Sequence, residues 1–169
     1  MVKITEAFKP SNGEVVFEYN DVDTFDDLDP ALCRQCYGVC FCEGKLVIVL
    51  GFFGGPGDTW GFPGGRIEPG ETFEQTLRRE ALEESNMEII SYLPIGYQKV
   101  IKTKDNSFKY ELRYVCNVRP FGPFVSDPAY GVIKEIKLIN PSEFKNYVNW
   151  GKIGERLVER GFELLPKLK

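Results

Sequence analysis

The 169-residue chain contains no histidine. That absence excludes His-based catalytic triads, imidazole metal ligands and an imidazole general base. Long hydrophobic runs are missing as well. No stretch approaches the roughly 18 apolar residues of a membrane-spanning helix, and no basic segment followed by an apolar one opens the chain as a secretion signal would. The expectation is a cytoplasmic protein with no membrane partner. Positive charge is not in excess: 21 Lys and Arg stand against 25 Asp and Glu, a net charge of −4. This balance disfavours general affinity for nucleic acid or an anionic membrane. Acting on a polyanion would then require local basic residues, a metal ion, or both. The 5 cysteines are an odd number, which without a secretion signal argues against a disulfide framework.

Hydrophobic content of 43% and charged content of 27% describe an ordinary globular protein, and the length suits one domain with a full core. There are no internal repeats, low-complexity segments or second-domain boundaries. The reading is one domain over residues 1–169, with residues 1–32 as an N-terminal extension packing on the core.

The chemistry concentrates between Gly65 and Met87, in GRIEPGETFEQTLRREALEESNM. Gly61, Pro63, Gly64, Gly65, Pro69 and Gly70 make the first part a loop. Thr72 with Gln75 three residues on reads as a capping box, and Asn86 can end the helix because Asn tolerates the left-handed conformation. Between them, Phe73 to Ser85 contains no helix breaker. Glu80, Glu83 and Glu84 stand at i, i+3 and i+4, on one side of that helix. At about 100° per residue, Glu80 and Glu84 fall near the line of Phe73 and Leu77, the buried stripe. Like charges so placed repel, and burial adds to the cost. A hard cation such as Mg²⁺ or Mn²⁺, shared with substrate phosphates, would remove both penalties. The alternative is a surface helix rich in Glu.

The whole pattern resembles the Nudix box: Gly65, Glu71, Arg79, Glu80, Ala81, Glu83, Glu84 and Met87 match it, with Asn86 where that family has Gly and Ala81 smaller than usual. Trp60-Gly61-Phe62-Pro63-Gly64 is similar to the segment leading into such boxes. The resemblance implies an α/β Nudix fold, a mixed β-sheet sandwiched between α-helices. It implies a metal-dependent hydrolase cleaving a phosphoanhydride bond in a nucleoside diphosphate linked to another moiety, with Mg²⁺ (or Mn²⁺) as cofactor and a nucleotide-type small molecule as substrate. It leaves room for a homodimer. Glu80, Glu83 and Glu84 are the implied metal ligands, with Gly64 beside them, and one of these carboxylates or Glu135 is the implied base. Gly64 and Gly65 let the loop backbone approach, and Glu71 pairs with Arg79 to orient the helix. Arg66, Arg113, Trp60 and Phe53 are assigned to substrate binding. A non-catalytic nucleotide-binding module on the same fold is the alternative, although such a module would be expected to have lost box carboxylates. An isoprenoid diphosphate isomerase on this fold would need His ligands. The downstream Pro of ADP-ribose hydrolases, the Tyr of dinucleoside polyphosphate hydrolases and the upstream coenzyme A signature are not found, so the sequence leaves the substrate open.

Elsewhere, Val15 to Asn20 reads as a short strand and the Asp run from Asp21 to Asp29 as a solvated loop. Residues 33–43 and 45–53 read as strands joined at Glu43-Gly44. Cys36, Gly38, Cys40 and Cys42 alternate with Tyr37, Val39 and Phe41, as in a strand buried on both faces. A zinc site built from Cys33, Cys36, Cys40 and Cys42 is the competing reading. Met87–Lys104 and Phe108–Val118 read as a long, locally basic hairpin turning at Asp105-Asn106. In its second arm Phe108, Tyr110, Leu112, Tyr114 and Cys116 share a buried face, leaving Lys109, Glu111 and Arg113 on a solvated one or, for Arg113, against substrate phosphate. Phe121–Gly131 reads as loop, Val132–Ile139 as a strand and Pro141–Tyr147 as a short helix. Asn149 is the expected cap of a last helix from Trp150 to Arg160, ended by Gly161.

Overall fold

Glu43 and Gly44 both take positive φ, 50° and 76°, the geometry of a two-residue hairpin turn. They join β3 (Cys33–Cys42) to β4 (Lys45–Phe52). Only Phe41↔Leu46 and Cys42↔Lys45 pair across this turn. The two strands then part, because each finds other partners. The structure, a computed structural model, describes residues 1–9, 13–52, 57–123 and 133–168. The remaining elements are β1 (Lys3–Phe8), β2 (Val15–Asp21), β5 (Asp58–Gly61), β6 (Gly64–Arg66), α1 (Phe73–Ser85), β7 (Met87–Lys102), β8 (Phe108–Pro120), β9 (Ile133–Ile139), α2 (Phe144–Tyr147) and α3 (Gly151–Leu164). β3 runs parallel to β8 and antiparallel to β6, while β4 pairs with β5 and β9. The main strand order is β1-β2-β7-β8-β3-β4-β5, a mixed sheet.

Helices cover both faces. On one, Leu77 and Ala81 of α1 pack with Cys36, Cys40, Cys42, Val47, Leu112, Tyr114 and Cys116. On the other, Ile153, Leu157 and Val158 of α3 pack with Val39, Phe41, Ile48, Phe62 and Val115. The alternation along β3 therefore sends its cysteines to the α1 face and Val39 and Phe41 to the α3 face. All five cysteines are buried and free. Burial pushes the Cys33 and Cys36 thiols up to about 11 and about 12, keeping them protonated.

β1 is absent from the sequence reading. Its burial pattern leaves only Ile4 and Glu6 partly covered, so apolar alternation is too weak to mark it. It forms by backbone pairing with β2, Lys3↔Asn20 through Phe8↔Val15, and β2 in turn pairs with β7.

Two expectations require correction. The last helix is not capped by Asn149 and does not stop at Gly161. Trp150 holds the cap position without a side-chain cap bond, and the helix runs to Leu164. Its first amides are met from a distance, Glu6 accepting from Lys152 N–H at 3.0 Å and Ile153 N–H at 3.2 Å. Gly161 instead permits close packing: a Cβ there would lie 3.1 Å from Val39 Cγ1. The second correction is that β8 has no solvated face at its centre. Glu111 and Arg113 are both buried, Arg113 at 2% exposure, because α3 packs on that side and Tyr37 and Trp150 lie against the Arg113 guanidinium. Among the described residues no helix is long and apolar enough to cross a membrane.

Candidate active site

The site begins with how α1 is held. Thr72 Oγ1 accepts from Gln75 N–H at 3.2 Å while Gln75 Oε1 accepts from Thr72 N–H at 2.8 Å, a complete capping box. Asn86, at φ 52°, closes the other end, and its Nδ2 donates to Pro123 O at 2.6 Å. The helix thereby presents Glu80 and Glu84 against Gly65 and Gly64 of β6, with Glu83 exposed beside them.

Arg79 ties that end together. Its Nε donates to Glu71 Oε1 at 2.7 Å and Nη2 to Glu71 Oε2 at 3.0 Å, a bidentate pair. Nη2 also donates to Arg66 O at 2.9 Å, and Nη1 reaches Glu80 Oε1 at 2.8 Å and Glu83 Oε2 at 3.1 Å. One guanidinium thus faces three carboxylates. The Arg79 hydrogen bonds, helped by one from Thr76, hold Glu71 down at about 2. Glu84 lies beyond its hydrogen-bonding reach. It accepts from Gly64 N–H at 2.8 Å, and burial, reinforced by the charges of Glu80 and Glu83, pushes its carboxyl up to about 8. Burial also raises Glu80, against the pull of Arg79. Gly65 makes room for this arrangement: a Cβ there would lie 2.4 Å from Glu80 Oε1.

The other predicted residues are dispersed. Glu135 lies exposed on β9 and pairs with Lys137 at 2.7 Å. Arg66 is exposed at the end of β6, opposite Gln35. Trp60, on β5, packs edge-on against Tyr147 at 5.9 Å. Phe53 falls outside the described residues. Arg113 is deep in the sheet, its Nη2 donating to Glu111 Oε2 at 2.8 Å and Gln98 Oε1 at 3.1 Å, its guanidinium carbon 4.3 Å from the Tyr37 ring centre. It lines a cavity of about 570 Å³ with Tyr37, Gln98, Glu111 and Trp150. Tyr37 links the two places. On β3 it pairs with Gly64 on one side and Arg113 on the other. Sequence reasoning missed Tyr37, Glu111 and Trp150. A period-2 pattern marks which residues share a face but does not reveal what lies over it.

A family model for the NUDIX domain matches residues 34–153. The chain belongs to the Nudix family. Solved structures agree at the level of fold. The chain is similar to a Bacillus subtilis pyrophosphohydrolase, BsRppH, at 14% identity and TM-score 0.66, covering 96% of each chain. It is similar to a NUDIX hydrolase from Nitrosomonas europaea at 17% identity and TM-score 0.64, over 78% of this chain and 89% of that one. It also resembles the NUDIX domain of Shewanella oneidensis NrtR complexed with ADP ribose, at 17% identity and TM-score 0.55, over 82% of this chain and 94% of that one. No curated protein matches by sequence.

Nudix proteins generally use divalent cations, and the donors here fit one chemically. Glu80, Glu83 and Glu84 offer hard oxygens, and the half-buried Glu84 carboxyl, raised by desolvation and by two like charges, would be relieved by a cation. Among the described residues no three such side chains already converge on one point. Arg79 Nη1 spans Glu80 and Glu83 instead.

Proposed function

We propose that this Nudix protein is a pyrophosphohydrolase dependent on Mg²⁺ or Mn²⁺, cleaving a phosphoanhydride bond in a nucleoside diphosphate linked to another moiety. The observation that carries the reading is Glu84: a half-buried carboxyl at the end of a complete box helix, bonded to the Gly64 amide at 2.8 Å and held up to about 8 beside Glu80 and Glu83. A carboxyl so placed suits either cation binding or taking a proton near neutral pH. Glu80, Glu83 and Glu84 would hold the cation, with the Gly64 backbone against them. When bound, the cation neutralises phosphate charge and lowers the pKa of water. Glu84 would accept the proton of the water attacking phosphorus, with Glu135 as the alternative base. Arg79, anchored on Glu71 and the Arg66 carbonyl, fixes the helix end against the loop. The reading includes a single domain over 1–169 in the cytoplasm, acting on a small nucleotide.

The test is a panel of nucleoside diphosphate derivatives, ADP-ribose and dinucleoside polyphosphates among them, with Mg²⁺, with Mn²⁺ and with EDTA. Cation-dependent release of a mononucleotide is expected for at least one compound. Tight binding of a nucleotide without turnover under any condition would favour the non-catalytic module.

A further inference from the structure

The guanidinium of Arg79 has no donor to spare. Arginine carries its N–H groups in a rigid planar fork. In Arg79 every one of them is used: two on Glu71, one on the Arg66 carbonyl, one on Glu80 and one on Glu83. The bonds to Glu71, at 2.7 Å and 3.0 Å, and to Arg66 O, at 2.9 Å, hold Nε and Nη2 in place. Because the fork is rigid, they hold Nη1 as well. Nη1 is thereby kept 2.8 Å from Glu80 Oε1 and 3.1 Å from Glu83 Oε2.

Each candidate metal ligand therefore has one oxygen already taken by the chain itself. On Glu80 it is Oε1 and on Glu83 it is Oε2, both held by Arg79. On Glu84 it is Oε2, held by the Gly64 N–H at 2.8 Å. Among the described residues, Glu80 Oε2, Glu83 Oε1 and Glu84 Oε1 accept no hydrogen bond. A cation gripping Glu80 through both oxygens would lie within about 5.5 Å of the guanidinium, a positive charge that its own anchors hold in place. The hard cations differ on this point. Ca²⁺ gathers about 6–8 oxygens and often takes both from one carboxylate, whereas Mg²⁺ takes few carboxylate oxygens and keeps several waters.

We propose that Arg79 determines which cation the site accepts: by occupying one oxygen each of Glu80 and Glu83, as the Gly64 amide does for Glu84, it limits the three carboxylates to single-oxygen coordination and so selects Mg²⁺ against Ca²⁺. This selection rests on the cation-dependent reading above and adds to it the ion the site refuses and the group that refuses it. Arg79 acts here through the carboxylates it holds, as a positioning residue, and touches neither cation nor substrate.

The experiment uses the full chain without nucleotide, and calorimetry with MgCl₂ and with CaCl₂. Wild type is expected to bind Mg²⁺ at least as tightly as Ca²⁺. Removing a positive charge strengthens binding of every cation, so the ratio of the two affinities is the quantity compared between variants. Arg79→Gln is expected to shift that ratio toward Ca²⁺ by ~10-fold or more, the scale of losing a group that holds metal ligands. Arg79→Lys keeps the charge, but a single ammonium cannot span Glu71, Glu80 and Glu83, so the ratio is expected to shift the same way. An unshifted ratio in either variant, or a wild type that prefers Ca²⁺, would overturn the proposal. Infrared difference spectra of the carboxylate stretches need no variant and decide the matter if the Arg79 variants fail to fold. Wild type loaded with either cation is expected to show the wide band separation of single-oxygen coordination, and a two-oxygen signature with Ca²⁺ overturns it. Glu84→Gln separates this selection from the reading beneath it. If binding is lost in Glu84→Gln while wild type does not discriminate, the cation site stands and the role of Arg79 falls. If no cation binds, or binding survives Glu84→Gln unchanged, both fall.

Discussion

The two faces of the sheet both hold buried charge, in opposite balance. On the α1 side Glu71, Glu80, Glu83 and Glu84 surround a single Arg79, and Glu84 is left to burial and the Gly64 amide. On the α3 side Arg113 is met by Glu111, which also takes Lys109 at 2.9 Å. Negative charge is in excess on the first face, whereas Arg113 and Glu111 form a matched pair on the second. A glycine gives way to a carboxylate on each side. Gly65 leaves space for Glu80, and Gly151, at φ 57°, leaves space for Glu6, whose Oε1 would lie 2.5 Å from a Cβ. The first glycine shapes a carboxylate cluster; the second shapes a helix start.

The largest expected effect separates chemistry from structure. Glu84→Gln should fold and yet lose cation-dependent hydrolysis by at least ~100-fold, the scale of removing a key electrostatic group from an active site. Turnover at the wild-type rate in that variant would dissolve the distinction between the two faces. Next come the glycines. Gly151→Ala should lose about 2 kcal/mol in a urea titration, through a strained left-handed backbone and the displaced Glu6 cap. Gly65→Ala should lose less stability but more activity, because the group it displaces is Glu80. The reverse ranking would mean that the glycines have exchanged roles.

Acid and base sharpen the comparison within the α1 cluster itself. Glu71 sits near 2 in the fold against an ordinary 4.5, so its contribution is present above pH 4.5 and fades as pH falls toward 2. Glu84 sits near 8 against 4.5, so its protonated form favours the fold below pH 4.5 and that advantage is lost as pH rises through 8. Without metal, Glu71→Gln should therefore be less stable than wild type at pH 7 and indistinguishable from it near pH 2. Glu84→Gln should gain on wild type as pH climbs from 4.5 to 8, by on the order of 2 kcal/mol after allowing for partial solvation. Melting curves across pH decide it, and parallel trends for the two variants would contradict the opposite signs. The smallest effect belongs to Asn86. Asn86→Gly relieves the left-handed φ but gives up the bond to Pro123 O, so a change within about 0.5 kcal/mol is expected. Asn86→Val should cost about 1 kcal/mol or more, and a Val variant melting like wild type would refute the strain at that position.

These two regions also differ in how far the sequence discloses them. The α1 end is local: Thr72, Gln75 and Asn86 mark its limits, three Glu spacings mark its face, and the helix forms from Phe73 to Ser85 as that pattern predicts. The Arg113 cavity draws on Glu6, Tyr37, Glu111 and Trp150, residues from four elements or junctions. Alternation along β8 separates Tyr110 and Leu112 from Glu111 and Arg113, but says nothing of the cover supplied from either end of the sequence. Gly161 misleads for a related reason. Read alone it is a stop signal, whereas in the fold it is where α3 meets Val39 and Phe41.

The contact between Glu6 and the start of α3 joins residues 146 positions apart, and Arg156 adds a second tie to Asp21 across 135. Loops of that size close late, because their entropy must be lost before the contact returns anything. The β1–β2 hairpin and α3 therefore wait on each other. Refolding should show a slow final phase in which hairpin amides and α3 amides gain protection from exchange together, after the β7–β8 hairpin is already protected. On a ribosome the same topology keeps the Arg113 side of the sheet uncovered until residues 151–164 have emerged.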